Sequence, residues 1–217
     1  MLARLVLWRH GQTAWNAEQR FQGHTDIGLD DVGREQAERA ARILAAVAPS
    51  VIVSSDLSRA VETAAALSAV TGVEVRTDER LRETYGGAWQ GRTIEQIRAT
   101  DAEAYDLWRA DTAIDVRAGG GETRSQLAER AVPAIMDALA LAPAGATVVV
   151  VTHGGTVRAA LGTLLRLPMQ NWSAIAGLAN CCWSVLEEHQ GDPSRPGWRL
   201  LEHNAGTLPQ MVLGDEP

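Results

Sequence analysis

The chain contains no lysine, since all 20 of its basic residues are arginine. This absence excludes the Walker-type phosphate loop with its lysine, the pyridoxal Schiff base and the lysine nucleophile. The chain has no excess of basic residues either, because its formal net charge is −7 and its sequence pI is about 5.2. We therefore expect neither a nucleic-acid partner nor an anionic membrane partner. An anionic substrate would have to be attracted by a local group of arginines.

Cysteines and long apolar runs are scarce as well. The two cysteines, Cys181 and Cys182, are adjacent, which suits neither a disulfide framework nor the spacing of metal ligands. No run of about 18 apolar residues is present, and the chain begins with a short strand-like run rather than a signal peptide. The sequence predicts a cytoplasmic protein with no membrane span.

Short apolar runs alternate with helical patterns along most of the chain. The predicted strands are at 5–8, 51–53, 73–76 and 147–151. One helix is predicted at 32–47, and a second one turns Ala60, Ala64, Leu67 and Val70 inward and ends at Gly72, as a left-handed cap. Strands that are separated by helices indicate crossover connections and a mostly parallel sheet, hence the α/β class.

The length of 217 residues favours one domain, 1–217. Residues 86–125 differ from the rest because they are polar, rich in glycine and contain one predicted helix, 94–110, with a possible cap formed by Thr93 and Gln96. Such an excursion from an α/β core is typical of a lid or specificity segment. The alternative is a surface excursion with no function.

Two predicted strands end in the same dipeptide, His-Gly. His10 follows the first strand and His153 follows the fourth, and each precedes a helix. Arg9 adjoins His10, and Arg59 falls in the first turn of the helix after the second strand. Ligands of open parallel sheets bind at the carboxyl ends of strands, where helix N-termini favour anions. These residues predict a site for a compact dianion such as phosphate. Taken one at a time, each histidine would also fit a purely structural role, and Arg59 would fit a solvated charge on the surface of its helix.

A phosphate site also needs a group that supplies a proton. Glu83 follows the third predicted strand and is placed to act as an acid. Its spacing alone favours a different role, that of a surface carboxylate paired with Arg80 or Arg82.

Four blocks between residues 3 and about 166 resemble, in order and spacing, the histidine phosphatase superfamily, which also contains the cofactor-dependent phosphoglycerate mutases. The blocks are Arg9-His10-Gly11-x-Thr13 with Asn16, the segment 54–64, Leu81-x-Glu83, and Thr152-His153-Gly154-Gly155. The resemblance implies a three-layer α/β/α sandwich around a mostly parallel sheet. It also implies catalysis with no metal and no other cofactor.

The resemblance assigns roles to the matched residues. It implies that His10 is the nucleophile that becomes phosphohistidine and that Glu83 is the proton donor. The residues expected to bind phosphate or substrate are Arg9, Asn16, Gln22, Gly23, Arg59 and His153. We expect a backbone carbonyl to accept a hydrogen bond from His10 and hold it neutral for attack, and we expect His153 to be cationic because it would face the dianion.

The family divides into mutases and phosphatases. The segment 84–93 departs from the mutase pattern, because Trp89 stands where mutases have leucine and the chain has no lysine to bind phosphoglycerate. These departures favour hydrolysis, with a small phosphorylated metabolite as partner. A mutase is the less favoured alternative. A module that binds phosphorylated ligands without turnover is the least favoured, because both His10 and Glu83 are present.

The segment 71–97 is similar to phosphatases that act on glucosyl-3-phosphoglycerate. A broad-specificity phosphatase or an α-ribazole phosphatase would use the same core residues. Trp89 and Trp108 are expected either to stack on a sugar or to pack under the lid, and Arg117 to pair with a carboxylate. Homodimers are common in the family, so a homodimer is one open arrangement, with the apolar strand near 179–186 as a candidate edge.

Overall fold

A twisted sheet lies at the centre of the molecule, which is described by a computed structural model over residues 3–110, 115–189 and 197–206. Within those ranges the strands are β1 (Arg4–Arg9), β2 (Pro49–Ser54), β3 (Val75–Thr77), β4 (Thr147–Thr152), β5 (Trp183–Glu188) and β6 (Trp198–Ala205). The α-helices are α1 (Ala14–Ala17), α2 (Asp31–Leu44), α3 (Ser58–Thr71), α4 (Ile94–Arg109), α5 (Arg124–Ala140) and α6 (Gly154–Leu164). Short 3-10 helices lie at Ala45–Val47, Glu79–Leu81, Gly87–Trp89, Ala118–Gly120 and Met169–Ala174.

The order of strands in the sheet is β3-β2-β4-β1-β5-β6. Parallel pairing joins β3 to β2, β2 to β4 and β4 to β1. The last two strands are added by antiparallel pairing, β5 on β1 and β6 on β5. The prediction of a mostly parallel sheet is therefore confirmed.

Side chains of the central strands alternate between two cores, one on each face of the sheet. Leu5 and Leu7 of β1 belong to a core with residues of α5 and α6, whereas Val6 and Trp8 belong to a core with residues of α2 and α3. The valines of β4 alternate in the same way. Central strands that are buried on both faces read as continuous apolar runs, which is why the sequence marks them clearly. The three-layer α/β/α sandwich is confirmed.

Two details of the predicted elements are wrong. Val70 does not point inward, because its side chain is 52% exposed, while Ala60, Ala64 and Leu67 of the same helix are buried. At 100° per residue, Val70 lies about 80° from Ala60, which puts it at the rim of the buried face. The expected left-handed cap is present at Gly72, with φ of 74°.

The second correction concerns the apolar strand near 179–186. The strand there, β5, pairs with β1 on one side and with β6 on the other, so it is an interior strand. The edge on this side of the sheet is β6. The candidate edge for a homodimer is thus misplaced in the sequence interpretation.

The predicted lid segment, 86–125, packs on an aromatic cluster of its own, and its residues 111–114 lie outside the described residues. Thr93 and Gln96 form the expected capping box at the start of α4. Gly87 has a left-handed φ of 47°, and a Cβ there would lie 2.2 Å from the carbonyl oxygen of Gly119. Glycine therefore permits the two ends of this segment to pack backbone against backbone.

Candidate active site

The carboxyl ends of β1, β4 and β2 bring the predicted site residues together. β1 and β4 are neighbours in the sheet, so His10 and His153 leave adjacent strands and their ring centroids are 5.1 Å apart. The backbone N–H of His10 donates to the carbonyl oxygen of Thr152 over 3.0 Å. The predicted convergence of the two His-Gly strand ends is confirmed.

His10 is held in one tautomer. Its Nδ1 is 2.7 Å from the carbonyl oxygen of Gly11, and because a carbonyl only accepts, Nδ1 is the protonated nitrogen. Nε2 then carries the lone pair. Burial lowers the pKa of His10 well below its usual value, and the nearby cations Arg59 and Arg9 lower it further. The neutral His10 expected from the sequence agrees with this geometry.

Arg59 is fully buried, with 0% of its surface exposed, so it is not a solvated helix charge. Its Nη1 donates to the carbonyl oxygen of Thr25 over 2.9 Å, and its Nη2 donates to that of Gly23 over 2.8 Å. Burial lowers the pKa of Arg59 to about 10, which still leaves it charged at neutral pH. A buried cation is therefore fixed beside His10.

His153 differs from the expectation of a cationic ring. Its Nδ1 accepts a hydrogen bond from Nε of Arg59 over 3.3 Å, and its Nε2 is 2.9 Å from Oγ of Ser55. A guanidinium only donates, so Nδ1 is unprotonated and the ring is neutral. Burial lowers the pKa of His153 well below its usual value, followed by repulsion from Arg59 and His10. The expectation of a cationic His153 is therefore wrong.

The carboxylate of Glu83 contacts the N-terminus of α6 and forms no surface ion pair with Arg80 or Arg82. Its Oε1 accepts from the backbone N–H of Thr84 over 2.8 Å, and its Oε2 accepts from that of Gly155 over 3.0 Å. A carboxylate at a helix N-terminus is favoured by the helix dipole. The two arginines considered as partners for Glu83 bond elsewhere: Arg80 pairs with Asp78 and Asp137, and Arg82 pairs with Asp56. The surface-carboxylate alternative is therefore wrong.

Arg9 contributes a buried hydrogen-bond donor, its Nε–H, to the site. Its Nη1 donates to the carbonyl oxygen of Leu178, and its guanidinium packs against Gly154, where an added Cβ would lie 3.6 Å from Cζ. Among the residues that the structure describes, no atom accepts a hydrogen bond from its Nε. A buried unsatisfied donor is costly, and an anion at this point would satisfy it.

Asn16 and Gln22 have their amide oxygens turned toward Thr13. Oδ1 of Asn16 accepts from the backbone N–H of Thr13 over 3.1 Å, and Oε1 of Gln22 accepts from the hydroxyl of Thr13 over 3.1 Å. The NH₂ ends of the two amides are therefore the ends that remain as donors for the cavity.

A cavity of about 210 Å³ joins these groups. The predicted residues that line it are Arg9, His10, Asn16, Gln22, Gly23, Arg59 and Glu83. His153 does not line it, because its buried ring lies behind His10 and Arg59. Lining residues that the sequence interpretation did not assign include Arg20, Phe21, Thr84, Arg124, Leu127, Arg158 and Trp172.

Arg130 on α5 fixes the segment that carries Glu83, and the sequence interpretation missed it. Its guanidinium donates to the carbonyl oxygens of Arg80, Arg82 and Glu83 over 2.7 to 2.8 Å. It also forms a two-pronged ion pair with Glu122 over 2.7 and 2.8 Å. In the sequence it is indistinguishable from an ordinary helix-surface arginine, so no signal marks it.

The aromatic residues of the lid segment do not act alike. Trp89 is 1% exposed and packs against Phe21, Tyr105 and Trp108, so the core-packing alternative holds for it and sugar stacking is wrong. Trp108 does line the cavity. Arg117 donates to Gly121 and Gln126 away from the cavity, so its expected pairing with a carboxylate is also wrong.

Neither a metal cluster nor a membrane span is found in the part of the chain that the structure describes. No group of three or more His, Cys, Asp or Glu side chains there is placed to hold a metal ion. No helix there is long and apolar enough to cross a membrane.

Comparison with known proteins agrees with this geometry. The histidine phosphatase superfamily (branch 1) matches residues 5–202. The glucosyl-3-phosphoglycerate phosphatases of Mycolicibacterium vanbaalenii and Mycobacterium tuberculosis are 42% and 43% identical, over 93% of this chain and 94% of each relative. A solved structure of the mycobacterial glucosyl-3-phosphoglycerate phosphatase with VO3 has a TM-score of 0.84 at 43% identity, covering 94% of this chain and 99% of that one. The chain belongs to the histidine phosphatase superfamily.

Proposed function

We propose that the chain is a metal-independent phosphomonoesterase that forms a phosphohistidine at His10. The observation that carries this proposal is the unprotonated Nε2 of His10, which lies in a cavity shared with Arg9 and Arg59. We also propose glucosyl-3-phosphoglycerate, or a similar small phosphorylated metabolite, as the substrate. The names of the two relatives at 42% and 43% identity support that choice.

The phosphoryl group of the substrate would lie between Arg9 and Arg59. Arg9 offers its buried Nε–H, and the NH₂ groups of Asn16 and Gln22 supply neutral donors. Charge on the transferring phosphoryl oxygens would be met by donors that are already in place, which is the main source of catalysis in phosphoryl transfer. His153 would not contact the phosphoryl group and would instead position Arg59, whose Nε donates to His153 Nδ1 over 3.3 Å.

The first half-reaction transfers the phosphoryl group to the enzyme. Nε2 of His10 forms a bond to phosphorus as the bond from phosphorus to the ester oxygen breaks, and the departing alkoxide takes a proton from the protonated carboxyl of Glu83. The second half-reaction reverses the proton path. Water attacks the phosphohistidine while Glu83 accepts its proton, which releases inorganic phosphate and regenerates neutral His10.

We further propose that residues 1–217 form one domain in which 86–125 is a lid over the cavity. The support for this lies in Trp108 of α4, which lines the cavity and whose ring is 5.7 Å from that of Phe21. A lid that contacts the non-phosphate part of a substrate would set specificity. A cytoplasmic location and a homodimer stay predictions from the sequence.

The alternative functions differ in the reaction that they would catalyse. A mutase would convert 3-phosphoglycerate to its isomer faster than it releases phosphate, whereas a broad-specificity phosphatase would act on most monoesters within a few-fold. A binding module would release no phosphate from any ester.

One assay separates these readings. Phosphate release is measured in the presence of chelator from glucosyl-3-phosphoglycerate, 3-phosphoglycerate, α-ribazole phosphate and p-nitrophenyl phosphate, and isomerisation of 3-phosphoglycerate is measured beside it. We expect glucosyl-3-phosphoglycerate to have the largest kcat/KM, by orders of magnitude. Similar values for all four esters would leave the phosphatase reaction standing and overturn the substrate. Loss of activity on adding chelator would overturn metal independence.

A further inference from the structure

A second cationic region lies in the same cavity as His10, away from Arg9 and Arg59. Arg124 is the first residue of α5, and Arg158 lies in the second turn of α6. Both line the cavity together with Trp108. Neither belongs to the set of residues that the proposed phosphoryl transfer uses.

The charges in this region repel one another. The guanidinium of Arg124 lies over the ring of Trp108, 5.0 Å from its centroid. Burial lowers the pKa of Arg124 to about 10, and repulsion from Arg158 and Arg109 contributes to that shift. Arg158 forms no hydrogen bond or ion pair with any residue within 3–110, 115–189 or 197–206. Like charges gathered at a partly buried site favour the binding of an anion.

The spacing along α6 relates this region to the phosphate position. Gly154 packs against the guanidinium of Arg9. Arg158 follows it by four residues on the same face of the helix, slightly more than one turn or about 6 Å further along. In a 3-phosphoglyceryl ester, the ester oxygen and two carbon atoms separate phosphorus from the carboxylate carbon. When extended, that chain spans close to one helical turn.

We propose that Arg158 and Arg124 bind the carboxylate of the substrate and thereby select phosphorylated carboxylic acids over phosphate esters with neutral alcohols. The proposal rests on the proposed phosphatase function and adds the residues that bind the second negatively charged group of the substrate, its carboxylate. Arginine suits this role because its planar guanidinium can bind both oxygens of a carboxylate.

The test compares two substrates that differ only at the proposed contact. Glycerol 3-phosphate has a hydroxymethyl group where 3-phosphoglycerate has its carboxylate. In Arg158→Gln we expect kcat/KM for 3-phosphoglycerate to fall about tenfold further than kcat/KM for glycerol 3-phosphate, which is the range of a lost charge-assisted hydrogen bond. Arg124→Gln should act in the same direction, and Arg158→Lys should restore part of the preference.

The matched control is Arg42→Gln, because Arg42 is an exposed arginine on α2 in the opposite layer of the sandwich. It should leave both substrates unchanged. Equal losses on the two substrates in Arg158→Gln would mean that Arg158 attracts anions in general, and the carboxylate assignment would be wrong.

A binding measurement tests the carboxylate site even if the chain proves not to be a phosphatase. If the wild type hydrolyses neither ester, calorimetric binding of 3-phosphoglycerate and glycerol 3-phosphate to wild type and Arg158→Gln still decides the question. A carboxylate preference that disappears in the variant supports the subsite, and equal binding of both ligands by the wild type overturns it.

Discussion

The imidazole of His10 donates its Nδ1 proton to the carbonyl oxygen of Gly11, 2.7 Å away. The peptide that supplies this carbonyl is itself fixed, since its N–H, that of Gln12, donates to Oε1 of Gln36 over 2.9 Å. A side chain at Gly11 would place its Cβ 2.5 Å from the carbonyl oxygen of Gly33 at the start of α2. Glycine after the histidine therefore permits the close packing that holds the acceptor, and through it the tautomer, in place.

Replacement of the nucleophile should abolish turnover. We expect His10→Ala to retain less than about a hundredth of the wild-type kcat, because His10 is the one histidine among the described residues that line the cavity. Phosphoprotein trapped and assayed in alkali, where phosphohistidine is stable, should lose its signal as well. The control is His189→Ala, which should keep full activity because His189 follows the end of β5 that pairs with Arg4, away from His10. Activity in His10→Ala above a hundredth of wild type would contradict the assignment.

The buried histidines should make the protein less stable in mild acid. The pKa values of His10 and His153 are lowered well below the usual 6.5 by burial, so below pH 6.5 the unfolded chain binds protons that the folded chain does not. Stability must then fall as the pH falls, by roughly 1 kcal/mol for each histidine between pH 6.5 and 5.5.

Urea unfolding at pH 7.5, 6.5 and 5.5 measures this effect. The carboxyls with lowered pKa values, Asp56 and Asp78, are paired with arginines and titrate below 3.8, so they do not contribute in this window. We expect His10→Gln to lose part of the pH dependence. Equal stability at pH 6.5 and 5.5 in the wild type would mean that the folded protein accepts protons on both rings.

The strand ends of the site could be predicted from sequence because two physical signals coincide there. β1 and β4 are buried on both faces and read as apolar runs, and each ends at a histidine followed by glycine. Parallel pairing of neighbouring strands then places the two histidines side by side. The prediction needs only the direction of the chain and no side-chain detail.

The helix arginines could not be predicted in the same way. Arg124, Arg130 and Arg158 are charged residues on helices whose apolar faces define the packing, and periodicity locates only those faces. Whether an arginine at the border of a face reaches solvent or turns inward depends on how α5 and α6 pack together. Arg117, which sequence reasoning favoured for binding, instead closes its own loop by donating to Gly121.

Arg130 should act on the position of the proton donor. Its guanidinium is the donor for the carbonyl oxygens of Arg80, Arg82 and Glu83. We expect Arg130→Ala to lower the free energy of unfolding by about 2 to 4 kcal/mol, because the carboxylate of Glu122 and these carbonyls lose a charged donor. We also expect a drop in kcat that is larger for alkyl phosphates than for p-nitrophenyl phosphate. The reason is that loss of Arg130 displaces Glu83, the proton donor, and alkyl leaving groups depend most on that proton.

Two further variants separate stability from positioning at Arg130. In Arg130→Met combined with Glu122→Gln no buried carboxylate is left unpaired, so the double variant should be more stable than Arg130→Ala while the leaving-group effect remains. Arg130→Lys should recover part of the alkyl phosphate activity. A uniform loss on all esters would show that Arg130 supports only the fold.

The leaving group of the substrate should decide how much Glu83 matters. Gln at this position keeps an oxygen that can accept from the N–H groups of Thr84 or Gly155, but it has no acidic proton to give. Removal of a general acid costs about 10²- to 10⁴-fold where the leaving alkoxide needs protonation. Glu83→Gln should therefore lose that much kcat/KM on glycerol 3-phosphate and far less on p-nitrophenyl phosphate, whose leaving group is already a weak base. Glu79→Gln, an exposed carboxylate four residues earlier, should change neither rate. Losses of equal size on the two esters would mean that Glu83 orients the site without transferring the proton.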